Sequence, residues 1–179
     1  MAAKPKKSKP KSQSSRMQEA HNNALLKQTK TQVRKSNIKT KGFSRSSKPG
    51  QYAQGIYYSK KNKKEFIFRS AYEFAYFHIL EDDSNVVSYI VEPFKIAYRA
   101  GTDMRHYLPD LMVLYADGAI DIIEIKPSTM LTNKTVRAKA AAARDFIKKN
   151  LPTAKYRFVT ERDIFATYLD YKKLVRLLK

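Results

Sequence analysis

Residues 107–127 read YLPDLMVLYADGAIDIIEIKP. Two apolar runs of strand length, Leu108 to Tyr115 and Ala119 to Ile125, flank Ala116-Asp117-Gly118. Leu, Val, Ile and Tyr suit a pleated, half-buried surface, and glycine supplies the positive φ that a tight turn requires. The length of the loop decides which side of the hairpin each polar residue takes. A two-residue Asp-Gly turn pairs Ala116 with Ala119 and sends Asp110 and Glu124 to opposite faces. A three-residue loop with Gly118 in the left-handed region pairs Tyr115 with Ala119, Asp110 with Glu124 and Leu108 with Lys126. Asp110, Glu124 and Lys126 then share one face.

Two carboxylates held side by side on one face of a sheet repel each other, which a purely structural protein has little reason to accept. A hard divalent cation supplies a reason, because it takes oxygen ligands and keeps several waters for chemistry. The Ile125 carbonyl, between the acids and the lysine, is a further candidate ligand. Lys126 is placed to orient or deprotonate an attacking water, or to offset charge on a phosphate.

Pro109-Asp110 followed by Glu124-Ile125-Lys126 resembles the PD-(D/E)xK nuclease signature, and here it falls on two expected strands. The preceding segment, residues 70–82, has helical spacing, with Tyr72, Ala75, Tyr76, Ile79, Phe77 and Leu80 forming a broad apolar face. Glu73 lies on its first turn. Ser70-x-x-Glu73 is also a capping box, in which Glu73 would accept from the Ser70 backbone N–H. The family carries a further acid on the helix that precedes its sheet, so the resemblance implies a catalytic role for Glu73 as well.

The remaining elements follow in order. Residues 51–69 form a hairpin, with Ile56-Tyr57-Tyr58 and Phe66-Ile67-Phe68 on either side of a basic turn. Residues 85–91 and 94–98 form strand separated by a bend or bulge at Glu92-Pro93, where Glu92 is a minor candidate acid. Residues 100–103 then turn into the central hairpin, and Arg99, Arg105 and His106 precede Asp110. A helix spans about 133–150, with Val136, Ala140, Ala143, Phe146 and Ile147 as its apolar stripe and basic residues elsewhere. A strand at 155–160 and a helix from Asp163 to Leu178 close the chain. This order of helix, antiparallel three-strand meander, helix and further strand resembles the α/β (α+β) restriction-endonuclease-like core over about residues 65–165.

Within that superfamily, FRSAYEF followed by RHYLPD and IIEIKP looks most like the head-completion nucleases of tailed phages. It resembles, less specifically, the TnsA-type endonuclease subunit of cut-and-paste transposons. The resemblance implies Mg²⁺-dependent hydrolysis of DNA phosphodiester bonds, with Mn²⁺ as a substitute. Asp110 and Glu124 would hold the metal, Glu73 would complete the shell directly or through water, and Lys126 would assist the nucleophile. A phage setting would mean DNA packaging and virion assembly, with head or neck proteins as partners. A transposase or homing-type nuclease, a junction resolvase acting as a homodimer, and a non-catalytic DNA-binding virion protein are the alternatives.

Composition supports a DNA partner. The 179-residue chain carries a formal charge of +20. Residues 1–64 hold eighteen Lys and Arg against the single acid Glu19, so the basicity belongs mostly to the front third. Each phosphate neutralised by such residues releases condensed counterions. Residues 1–50 are rich in Lys, Ser and Pro and too poor in large apolar residues to offset the entropy of ordering, which predicts a mostly disordered DNA-binding arm ahead of a nuclease domain at 51–179. A short helix near residues 16–30 is compatible with its composition. Expected DNA contacts are Lys4, Lys6, Lys7, Lys9, Lys11, Arg34, Lys35 and Arg45 in the arm, and Lys60, Lys61, Arg69, Arg105 and Lys139 in the domain. Without cysteine there is neither a disulfide nor a thiolate zinc site, and three scattered histidines argue against a histidine-based one. No apolar run approaches the roughly 20 residues that span a bilayer, and the expectation is a cytoplasmic protein of the host cell, or a virion-associated one, with no membrane partner.

Overall fold

The structure is a computed structural model in which residues 54–167 are described. The basic arm with Lys4, Lys6, Lys7, Lys9, Lys11, Arg34, Lys35 and Arg45, the helix expected near 16–30 and most of the final helix lie outside the described residues.

The chain runs β1 (Gly55–Ser59), β2 (Lys64–Phe68), α1 (Ala71–Asp82), β3 (Val86–Val91), β4 (Ile96–Ala100), β5 (Asp103–Tyr107), β6 (Leu111–Tyr115), β7 (Ile120–Ile125), a 3-10 turn (Ser128–Met130), α2 (Lys134–Asn150), β8 (Lys155–Val159) and α3 (Glu161–Thr167). A four-stranded sheet in the order β3-β6-β7-β8 forms the centre. Its first three strands are antiparallel neighbours and β8 lies parallel to β7. Parallel neighbours need a long crossover, which α2 provides. This is the expected restriction-endonuclease-like α+β arrangement, with one addition.

The addition is a two-stranded hairpin, β4-β5, between β3 and β6 and outside the central sheet. The sequence pattern leads residues 100–103 straight into the central hairpin. Instead, Gly101 (φ +66) turns the chain back, and Asp103 to Tyr107 pair with Ala100 to Ile96. β6 then begins at Leu111 rather than Leu108, after Pro109, which has no N–H to donate to a ladder.

The central register is that of the three-residue loop. Leu111 faces Ile123, Leu114 faces Ile120, Gly118 has φ +83, and the Tyr115 N–H donates to the Ala119 carbonyl at 3.0 Å. Alternate residues therefore feed two layers. Tyr89, Val91, Leu111, Val113, Ile123 and Val159 pack under α1, the β1-β2 hairpin and α3. Ile90, Met112, Leu114, Ile120 and Ile122 pack toward α2, and Ile96, Tyr98 and Tyr107 of the β4-β5 hairpin join Ala143 of α2 in a further cluster.

α1 is apolar nearly all round rather than on one broad face. The sheet takes one side, while β1-β2 covers another through Tyr57, which packs edge-on against Phe74 and His78. The turn of that hairpin is docked. Glu81 accepts from Ser59 Oγ at 2.5 Å, from the Tyr89 hydroxyl at 2.8 Å and from the Lys60 and Lys61 N–H groups. The Lys61 ammonium donates to the carbonyls of Asp83, which caps the C-terminal end of α1, and of Val86, the first residue of β3. Of these two proposed DNA contacts, Lys61 is thus turned into the protein, and Lys60 is exposed.

Candidate active site

The strand parity just described brings Asp110, Glu124 and Lys126 together at one end of the central sheet, on the α2 side. Glu124 is 3 % exposed, set in the almost wholly buried strand β7. Lys126 Nζ lies 3.1 Å from Asp110 Oδ2, 3.0 Å from Glu124 Oε1 and 3.0 Å from the Ile125 carbonyl oxygen. Asp110 Oδ2 also accepts from the Ile125 N–H at 2.6 Å. Glu124 Oε2 is buried with no hydrogen-bond partner.

Glu73 reaches this cluster from α1. It caps that helix, but not as a simple capping box. Ser70 Oγ accepts from the Glu73 N–H at 3.1 Å, whereas the Glu73 carboxylate takes the Arg69 N–H at 2.9 Å and the Ser70 hydroxyl at 3.0 Å. The backbone donor is one residue earlier than expected. Burial, followed by the charge of Asp110, pushes the Glu73 carboxyl up to about 7. The same two causes push Glu124 up to about 7, and burial raises Asp110 against the pull of Lys126 and the Ile125 N–H. Burial alone would lower Lys126, yet Asp110 and Glu124 outweigh it and hold the lysine above its usual value as an ammonium.

The electrostatics define what the site could hold. Three carboxylates face one lysine, so full ionisation leaves two negative charges in excess in a desolvated place. The donor set of carboxylate and carbonyl oxygens, with an orphaned Glu124 Oε2, fits a hard divalent cation. Among the described residues no group of three His, Cys, Asp or Glu side chains converges closely enough to hold a metal by itself. The lysine stands among the oxygens, and the Ile125 carbonyl, water and substrate would complete any ligand set.

The surrounding residues include some that the sequence pattern does not single out. Tyr107 and Tyr156 are raised by burial and then by the charge of Glu124, which places both phenols beside the acids. The Tyr107 hydroxyl donates to the Lys139 carbonyl at 2.8 Å, and the Lys139 ammonium lies 5.4 Å from the Tyr107 ring centre. Arg144 sits 5.3 Å from the Tyr156 ring. Strand parity could have found Tyr156: it pairs with Ile122 and so shares the face of Glu124. Glu92, a minor candidate, pairs with Arg69 at 2.5 Å, and its N–H donates to the Asp110 carbonyl at 3.0 Å. Arg105 and His106 are exposed on β5, Arg105 facing Asp103 at 3.4 Å. A cavity of about 550 Å³ lies at the opposite end of the sheet, around Tyr115, Asp121 and Arg157, away from the acids.

The mixed sheet is consistent with a restriction-endonuclease-like fold, and two carboxylates and a lysine meet at one end of it. Residues 83–161 match the family described as TnsA-like endonuclease N terminal. The match covers somewhat under half of the chain. It contains Asp110, Glu124 and Lys126 and begins after Glu73. A search of curated proteins found no match.

Proposed function

We propose that the protein is a metal-dependent DNA endonuclease. The observation that carries this reading is the Lys126 ammonium gathered by Asp110, Glu124 and the Ile125 carbonyl, with Glu124 Oε2 left unpartnered in the interior. Asp110, Glu124 and the Ile125 carbonyl would hold a hard cation, Mg²⁺ by preference and Mn²⁺ as a substitute, with Glu73 joining directly or through water. When bound, such a cation activates a coordinated water and offsets charge on the phosphate. Lys126 supplies a fixed positive charge beside those oxygens and orients the attacking water or a phosphate oxygen. Glu73 would give up one of its capping bonds to take part. Tyr107 and Tyr156 exclude bulk water on the α2 side, while Lys139 and Arg144 add positive charge where a backbone would approach.

The family match favours a strand-breaking enzyme of the TnsA type over a phage head-completion nuclease. The basic arm at residues 1–50 would hold DNA through its phosphates, and among the described residues no element that reads bases is evident, so cutting would be weakly specific or directed by partners or by DNA structure. The test is cleavage of linear, supercoiled and branched DNA in Mg²⁺ and in EDTA by wild type, Asp110→Ala and Lys126→Ala. Cleavage by wild type in Mg²⁺ alone, lost in both variants while DNA binding persists, is the expected result. Binding of all three DNAs without cleavage in Mg²⁺ or Mn²⁺ would favour a non-catalytic DNA-binding protein instead.

A further inference from the structure

Glu92 has φ +50. It is not glycine, and it precedes Pro93, a position where the pyrrolidine ring favours extended backbone in the residue before it. Strain of this kind persists only where the surroundings impose it, and it gathers at functional sites. The surroundings here are specific. The Glu92 N–H donates to the Asp110 carbonyl at 3.0 Å, its carboxylate meets the Arg69 guanidinium at 2.5 Å, and the Arg69 N–H donates to Glu73 Oε2 at 2.9 Å. The Arg69 side chain is 46 % exposed, and ion pairs so open to water contribute little to stability. The strain therefore has no evident return in folding energy and is better explained by placement.

Resting on the nuclease reading above, we infer that Glu92 is a positioning residue of the cleavage site, joining Glu73 and Asp110 through Arg69 and its own backbone N–H. The two acids come from different layers, the first from the start of α1 and the second from the start of β6, and no ladder bond connects those elements. Glu92, at the end of β3, bridges them. It touches neither substrate nor the attacking water. Without its carboxylate, the first turn of α1 would keep its Ser70 cap but lose its tie to the strand that presents Asp110.

Glycine accepts φ +50 without strain and keeps the N–H, so Glu92→Gly removes the whole side chain, carboxylate included, while the backbone bond to Asp110 stays available. Wild type, Glu92→Gly, Arg69→Gln and the double variant are compared by melting temperature, by duplex affinity in Ca²⁺ and by kcat and KM for cleavage in Mg²⁺. Glu92→Gly should melt at or above the wild-type temperature and bind duplex as wild type does. Its kcat should fall by about 10- to 100-fold at unchanged KM, the range seen when the partner of a site ligand is removed. The double variant should lose no more than either single one. Wild-type kcat in a well-folded Glu92→Gly would overturn the inference, as would a loss of kcat matched by a fall in melting temperature. Lost duplex affinity in Arg69→Gln with full kcat in Glu92→Gly would also overturn it, making Arg69 a phosphate contact. If wild type itself cuts no DNA in Mg²⁺ or Mn²⁺, the nuclease reading fails and this inference fails with it.

Discussion

Glu124 and Lys126 are two residues apart, share one face, and have opposite effects on the metal-free fold. Glu124 sits in a buried strand with Asp110 close by, and both conditions disfavour its charge. Glu124→Gln keeps an acceptor for Lys126 while removing a buried negative charge, and should stabilise the protein in EDTA by about 1 kcal/mol. Lys126→Met leaves the carboxylates without their cation and should destabilise it by roughly 3 kcal/mol. Thermal melts at pH 7.5 in EDTA read both. Mg²⁺ should then raise the melting temperature of wild type and leave that of Glu124→Gln unmoved. Equal losses in the two variants would contradict the like-charge account of the site.

At the scale of elements, the β1-β2 turn is held to α1 through Glu81. Burial raises its carboxyl, but the bonds from Ser59, Tyr89 and the Lys61 and Lys60 N–H groups outweigh burial and hold it below the usual value. A depressed acid contributes stability that is fully present above the unfolded value, near 4.5, and is lost as pH falls through the folded one. Glu81→Gln weakens those charge-assisted bonds at a largely solvated site and should cost about 1 kcal/mol at pH 7 once solvent screening is discounted. The wild-type and variant stability curves, measured by urea titration, should converge as pH drops below 4. Parallel curves down to pH 3 would rule out the charge as the cause.

The elements also differ in how far their own residues announce them. Gly118 and the spacing from Asp110 to Glu124 made the central register legible, because loop length determines strand parity. The Val136, Ala140, Ala143 and Ile147 stripe did the same for α2. β5 was not legible, since DMRHY has no alternation of apolar residues and becomes strand only through its pairing with β4. α1 looked one-sided because nothing in its own residues states that β1-β2 folds over its outer face. Glu92 stands out in the sequence as a minor candidate acid at a bend, but its partners do not, because Arg69 and Asp110 are distant in the chain.

For the whole molecule, the charge is asymmetric along the sequence, and under the proposed function this asymmetry separates DNA binding from cleavage. Residues 1–64 hold half of the Lys and Arg but one acid, and the acidic cluster lies wholly in the remainder. If the arm neutralises phosphates, its removal lowers the salt sensitivity of binding by about 0.9 in log Kd per log salt for each phosphate that it had neutralised. Deleting residues 1–48 should therefore weaken duplex affinity at 50 mM salt much more than at 300 mM, as fluorescence anisotropy would show. Equal slopes for the full and shortened chains would remove the arm from the binding surface.

The β4-β5 hairpin forms a sheet of its own and rests on α2, so its length is decoupled from the register that sets Asp110 opposite Glu124. Residues added in pairs at Gly101 would lengthen the ribbon without slipping a strand of the central sheet. The fold thus has an adjustable appendage that ends three residues ahead of Asp110. Foreign recognition loops could be grafted there, and natural insertions tolerated, while the arrangement of Asp110, Glu124 and Lys126 remains untouched.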